Sequence, residues 1–110
     1  MDGEWALIHL QRSLWDPVDP TRLGSLAPTL QWHVNGEAYR FADKRNLRRF
    51  MEHPTNWCGI LRDPVSGCRF RPSVRSPEVY WVNGPYFFES DSTRRVFLED
   101  PARYQVIRPM

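Results

Sequence analysis

The sequence predicts an α+β fold in which two β-hairpin-plus-helix repeats pack with approximate two-fold symmetry into one domain. Two observations predict this fold. Aromatic residues and prolines recur at a spacing of 47 positions, and each repeat places two alternating segments around an Asn-Gly pair, before a short amphipathic segment. The matched pairs are Asp16 and Asp63, Tyr39 and Tyr86, Phe41 and Phe88, Phe50 and Phe97, Pro54 and Pro101, and Trp57 and Tyr104.

Length and repeat together predict a single domain. The chain has 110 residues, and we place repeat one at about 12–57, repeat two at about 62–104 and a connection at 58–62. A unit of roughly 45 residues rarely buries enough apolar surface to be stable alone, so we expect the repeats to share one core. Short apolar segments at 5–10 and 104–108 are predicted as terminal strands.

The first repeat is predicted to begin with a loop and a hairpin. Two Asp-Pro pairs disfavour helix in residues 12–29, because proline pushes the preceding residue into extended geometry. Residues 30–34 and 37–41 alternate apolar and polar side chains around Asn35-Gly36, the pair that a type I′ turn favours. These residues therefore predict a β-hairpin.

A short helix is predicted over residues 43–53. Asp43 can cap its first turn, and Pro54 ends it. Helical spacing expects Leu47, Phe50 and Met51 on the inward face. The outward face carries Lys44, Arg45, Arg48 and Arg49.

The second repeat is predicted to follow the same order. Residues 69–71 alternate like a short strand, and residues 78–88 predict a hairpin centred on Asn83-Gly84. Residues 90–100 predict a helix that Ser90 or Asp91 caps. Its inward face is expected to hold Val96, Phe97 and Leu98, and its outward face Arg94 and Arg95.

Composition limits the classes of function. The net charge of +2 falls short of the concentrated positive charge of a dedicated nucleic-acid binder. Residues 1–20 lack the pattern of a signal peptide, and no segment is apolar for long enough to span a bilayer. We therefore expect a cytoplasmic protein without a membrane partner, whose two cysteines, Cys58 and Cys68, are free thiols.

The second repeat resembles the YHS domain, a small family related to the zinc-binding TRASH modules. The resemblance is carried by Asp63-Pro64-Val65-Ser66-Gly67, by residues 80–88 and by residues 95–104, which end in Pro101-Ala102-Arg103-Tyr104. With the weaker first repeat it extends over roughly residues 15–104. The resemblance implies a hairpin, a helix and an aromatic lock in each repeat.

The resemblance also implies where metal ligands would stand. Family members that bind metal use cysteines, because thiolate is a good ligand for zinc or copper(I). At the corresponding positions this chain has Asp19, Ala42 and Asn46 in repeat one, and Ser66, Glu89 and Thr93 in repeat two. We therefore expect no cofactor, and an inherited metal site that has lost its thiolates.

Three other kinds of site remain as alternatives. Cys58, Cys68, His33, His53 and Glu89 could together hold zinc or copper, although cysteine is more often a buried packing residue. Cys58 with His53 could form a nucleophile and base, but no catalytic signature surrounds them. The basic face of residues 43–53 could bind RNA or single-stranded DNA, although acidic residues lie beside it.

We expect a non-catalytic interaction or accessory module that binds a protein partner, with a metal-handling or nucleic-acid-binding protein as alternatives. Because side chains alternate along a strand, Tyr86, Phe87 and Phe88 cannot all face the same core. The remaining ring would fill the space between the repeats or form a partner-binding patch. The candidate interaction residues are Trp81, Tyr86, Phe87, Arg45, Arg49, Arg94 and Arg95. Self-association is left open.

Overall fold

The computed structural model describes residues 14–82 and 84–106. Their contacts divide them into two units: unit 1 holds residues 14–32 and 38–57, and unit 2 holds residues 33–37 together with the described residues from 58 onward. The fold class is α+β, as predicted. The tip of the first hairpin, which the repeat assigns to its first copy, belongs to unit 2.

Short elements make up the described part of the chain, as its many prolines and glycines predict. Strands β1 and β2, β3 and β4, and β5 and β6 form three two-stranded sheets. In chain order the elements are a 3₁₀ turn (Pro28–Leu30), β1 (Gln31–Val34), β2 (Glu37–Arg40), α1 (Lys44–Glu52), α2 (Pro54–Trp57), β3 (Leu61–Arg62), β4 (Arg69–Phe70), β5 (Glu78–Trp81), β6 (Gly84–Phe87), α3 (Asp91–Glu99) and α4 (Pro101–Tyr104).

The element bounds recur along the chain. Strands β1 and β2 and helices α1 and α2 each reappear 47 positions later, as β5, β6, α3 and α4, with unchanged lengths. The hairpins predicted over residues 30–41 and 78–88 and the helices predicted over residues 43–53 and 90–100 are confirmed to within a residue or two at each end. The two-fold relation between the repeats stays a prediction.

The two hairpin turns use their Asn-Gly pairs differently. Asn35 and Gly36 have φ angles of 51° and 76°, the positive values that a type I′ turn requires at both centres. In the second hairpin Gly84 pairs with Trp81 as part of strand β6, so the predicted turn centre at Gly84 is wrong. Asn83 itself lies outside the described residues.

Gly84 serves a close approach between backbones instead of the turn. Its φ is +135°, a value that disfavours residues with a side chain, and a Cβ there would collide with the carbonyl oxygen of His33. A glycine at the start of β6 is therefore required by packing within unit 2.

The core of unit 1 joins the first hairpin to α1. The ring centroid of Phe50 lies 5.0 Å from those of Tyr39 and Phe41, and all three residues are buried. The inward position predicted for Met51 is wrong, because 44% of that residue is exposed. Asn46, one turn before Phe50, is buried instead.

The core of unit 2 joins the second hairpin to α3. The ring of Phe97 lies 5.0 Å from Tyr86 and 5.2 Å from Phe88, and all three are fully buried. The rings of Trp81 and Phe97 are nearly perpendicular, and their centroids lie 6.3 Å apart. The inward position predicted for Leu98 is wrong, since 48% of that residue is exposed.

Two prolines both end and begin helices. Pro54 and Pro101 follow α1 and α3, as predicted, and each also opens a one-turn helix, where the missing amide hydrogen costs nothing.

The closing strand predicted over 104–108 is wrong at Tyr104, which ends α4, and Gln105 and Val106 lie in no strand. Residues 107–108 and the predicted strand at 5–10 lie outside the described residues.

Residues 58–77 contain a second small sheet, formed by β3 and β4 alone. The strand predicted near residues 69–71 is present as β4, which pairs with β3 through Leu61 and Phe70. The sequence did not predict β3, because two residues are too few to display an alternation.

Removing the cap of α3 should destabilise the protein. The Ser90 hydroxyl accepts a hydrogen bond from the Thr93 amide at 3.2 Å. Ser90→Ala should therefore lower the free energy of unfolding by about 1 kcal/mol in urea denaturation. Ser92→Ala, at an exposed position in the same helix, is the matched control and should change it by less than about 0.5 kcal/mol. Equal effects of the two substitutions would contradict the capping role.

Candidate functional site

Unit 2 contains a fully buried carboxylate. Asp63 has no exposed surface. Its Oδ1 accepts hydrogen bonds from the amides of Val65 at 2.8 Å and Ser66 at 3.1 Å. Its Oδ2 accepts from the Glu89 amide at 3.0 Å and the Thr93 hydroxyl at 2.6 Å. These four donors compensate for the removal of a charge from water.

Unit 1 contains the same arrangement around Asp16, which is also fully buried. Its Oδ1 accepts from the amides of Val18 at 2.8 Å and Asp19 at 3.1 Å. Its Oδ2 accepts from the Ala42 amide and from the side-chain amide of Asn46, both at 2.9 Å. Every donor stands 47 positions before its counterpart in unit 2.

The six positions where the resemblance implies cysteines all donate to these two carboxylates. Asp19, Ala42 and Asn46 do so in unit 1, and Ser66, Glu89 and Thr93 do so in unit 2. Four of these residues donate through the backbone amide, and Asn46 and Thr93 donate through their side chains. We call each aspartate, together with the four groups that donate to it, an aspartate hub. Each hub ties the Asp-Pro-Val loop to the start of the following helix.

The predicted metal candidates are spread over both units. His53 is exposed at the end of α1 in unit 1, Cys58 is buried and Cys68 is exposed in unit 2, and neither of these two cysteines forms a disulfide. Burial lowers the pKa of His33. Within residues 14–82 and 84–106, no three His, Cys, Asp or Glu side chains come close enough to hold a metal ion.

A buried asparagine at the hairpin tip binds strand β6 within unit 2. Asn35 is 3% exposed, and its side-chain oxygen accepts from the Phe87 amide at 2.7 Å. Its side-chain nitrogen donates to the carbonyls of Phe87 and Arg62, both at 3.0 Å. Its own amide donates to the Pro85 carbonyl at 3.0 Å. The side chain thus pairs with β6 as a strand residue would.

Sequence reasoning missed both the hubs and the role of Asn35. The Asn-Gly pair was sufficient to predict the turn, but it gives no information on the hydrogen bonds that the Asn35 side chain makes. A signal for the hub was present, because an aspartate before proline recurs with a polar residue 30 positions later: Asn46 after Asp16, and Thr93 after Asp63.

A small cavity lies beside Asn35 in unit 2. Its volume is about 120 Å³, and Glu37, Arg62 and Asp63 contribute to its lining. Asp63 and Asn35 already have partners for their polar atoms, so the cavity offers no unpaired buried group to a ligand. A volume of this size accommodates a few water molecules.

The outward face of α1 carries four exposed cations in unit 1. We call Lys44, Arg45, Arg48 and Arg49 the cationic face. Arg49 lies over the ring of Trp57, with its guanidinium carbon 5.4 Å from the centroid. None of these four side chains forms an ion pair with another residue in the described part of the chain.

The arginines of α3 are placed differently. Arg94 binds Asp91 at 3.1 Å and Arg95 binds the same carboxylate at 2.9 Å, so both predicted interaction residues share an internal counterion. At α1 the capping carboxylate is held by Arg22 at 2.8 Å instead. The amide of Asn46 and then Arg22 keep the pKa of Asp43 below its ordinary value.

The aromatic interaction candidates are largely enclosed. Tyr86 and Phe87 are 0% and 4% exposed, so neither ring forms the exposed patch that was one of the two alternatives, and Trp81 is half-buried. Tyr86 is fixed at both ends of its side chain, because its hydroxyl accepts from the Val106 amide at 3.0 Å. The exposed apolar side chains of this hairpin are Tyr80 and Val82.

Comparisons with protein-family models, with curated proteins and with solved structures give no match. Among the residues described, no helix has the length and apolar character needed to cross a membrane. The function is therefore argued from the surfaces and contacts above.

Removing one hub donor should destabilise the protein measurably. Thr93→Val keeps the shape of the side chain but takes one of four hydrogen bonds from a buried carboxylate. The free energy of unfolding should fall by about 2 kcal/mol in urea denaturation. Thr93→Ser keeps the hydroxyl and should cost less than about 1 kcal/mol. A valine variant as stable as the serine variant would show that the hub contributes little.

Proposed function

We propose that this protein is a non-catalytic, YHS-like accessory module that binds an acidic surface of a protein partner through the cationic face of α1. The observation that carries the proposal is the contrast between the two helices. The cations of α3 are held by Asp91, while those of α1 lie exposed without an internal counterion in the described residues.

The hubs support an accessory role because they fill the positions at which the family resemblance implies metal ligands. The four donors around each carboxylate leave it fully hydrogen-bonded. In this proposal the hubs hold each helix against its own loop, and recognition takes place on the outer surface.

A protein partner fits the cationic face better than a nucleic acid does. Four cations on one nine-residue helix suit a compact acidic patch. The net charge of the whole chain is only +2, so little positive potential extends beyond this helix to follow a phosphate backbone.

The test compares two variants with the same change in charge. In Arg45→Gln/Arg48→Gln the cationic face loses two charges, and in Arg94→Gln/Arg95→Gln α3 loses two. Each protein is cross-linked in permeabilised native cells, with and without prior nuclease treatment, and cross-linked proteins are identified by mass spectrometry. The partner identified with the wild type is then purified, and its affinity is measured at two salt concentrations.

The α1 variant should bind about ten-fold more weakly, and the α3 variant should bind within about two-fold of the wild type. Added salt should weaken wild-type binding more than binding of the α1 variant. Equal losses for the two variants would contradict the proposal. Binding that nuclease abolishes would assign the cationic face to nucleic acid instead.

A further inference from the structure

Asn35-Gly36 is a chemically labile dipeptide placed inside unit 2. When an asparagine precedes glycine, the glycine amide nitrogen can attack the side-chain carbonyl carbon of asparagine. A bond then forms between the nitrogen of Gly36 and Cγ of Asn35, and the bond from Cγ to Nδ2 breaks and releases ammonia. Water opens the resulting succinimide at either carbonyl, which leaves aspartate or isoaspartate.

We propose that the fold blocks this deamidation at Asn35 and that the unfolded chain undergoes it, so that residue 35 is a modification site whose extent of deamidation increases with the time that the chain spends unfolded. The proposal is independent of the function proposed above. It rests on the three side-chain hydrogen bonds of Asn35 and on its 3% exposure.

The folded geometry holds both ends of the reacting group. Oδ1 of Asn35 accepts from the Phe87 amide at 2.7 Å, and Nδ2 donates to two carbonyls at 3.0 Å. Cγ therefore faces strand β6, and ring closure toward Gly36 requires all three hydrogen bonds to break.

The product does not fit the site that the asparagine occupies. A carboxylate at position 35 would direct an acceptor oxygen at the carbonyls of Phe87 and Arg62, where Nδ2 now donates. Isoaspartate would add a methylene group to the main chain next to Gly36, where a Cβ would already collide with Val106. A deamidated chain therefore refolds to a less stable protein.

The first experiment measures deamidation of residue 35 by peptide mapping with mass spectrometry, at mildly alkaline pH, in buffer and in concentrated urea. Asn83-Gly84 in the same chain supplies the rate for an unfolded Asn-Gly pair in urea. In urea both pairs should react at similar rates. In buffer Asn35 should react at least about 100-fold more slowly than in urea, because only opened molecules react. A smaller slowing would overturn the proposal.

The second experiment makes the product directly. Asn35→Asp should unfold at a clearly lower urea concentration than the wild type, and Asn56→Asp, at an exposed asparagine, should not. Acidification should restore part of the loss in Asn35→Asp, because a protonated carboxyl can donate to one of the two carbonyls. An Asn35→Asp protein as stable as the Asn56→Asp control would overturn the claim that the deamidated chain refolds to a less stable protein.

Discussion

The structure depends on a carboxylate that is withdrawn from water and given four hydrogen-bond donors. Asp16 and Asp63 each lie at the start of an Asp-Pro-Val loop. Each accepts from the residue that precedes the cap of an α-helix and from a side chain in the first turn of that helix. An isolated buried charge costs several kcal/mol. The loop, the end of the hairpin and the helix therefore have to be in place together, which couples the loop to a hairpin end and a helix that lie 26 to 30 positions later.

That coupling explains why such short elements are ordered. No helix among the described residues exceeds nine residues, and helices of that length are marginal in water on their own. Each of α1 and α3 has a side-chain cap at its first turn and one buried phenylalanine. The hub adds a hydrogen bond to the third helical residue, so the start of each helix is fixed by its cap, its core ring and the carboxylate.

Much of the fold could be predicted from the sequence, because the signals for hairpins and helices are local. The Asn35-Gly36 turn, the caps Asp43 and Ser90 and the closing prolines act within a few residues of their position. The helix faces were wrong at Met51 and Leu98, because an amphipathic pattern locates an apolar stripe only approximately. The polar residue Asn46 takes a buried place there, and only its distant partner Asp16 explains why.

The site was harder to predict than the fold. The exposed cations of α1 and the charge-paired arginines of α3 were both predicted as the outward face of an amphipathic helix. The two faces differ because α3 has an acidic residue, Asp91, one turn before Arg94 and Arg95. The hubs and the contacts of Asn35 join residues 26 to 52 positions apart. Such separations cannot be inferred from periodicity, because they depend on how the loops return.

The hub accepts different chemical groups from the first turn of its helix. In one copy the donor is a carboxamide and in the other it is a hydroxyl, each 30 positions after the aspartate. Mutation can therefore exchange amide for alcohol at that position while the loop and helix stay joined. Related chains are therefore better recognised by an aspartate with a hydrogen-bonding residue 30 positions later than by the identity of that second residue.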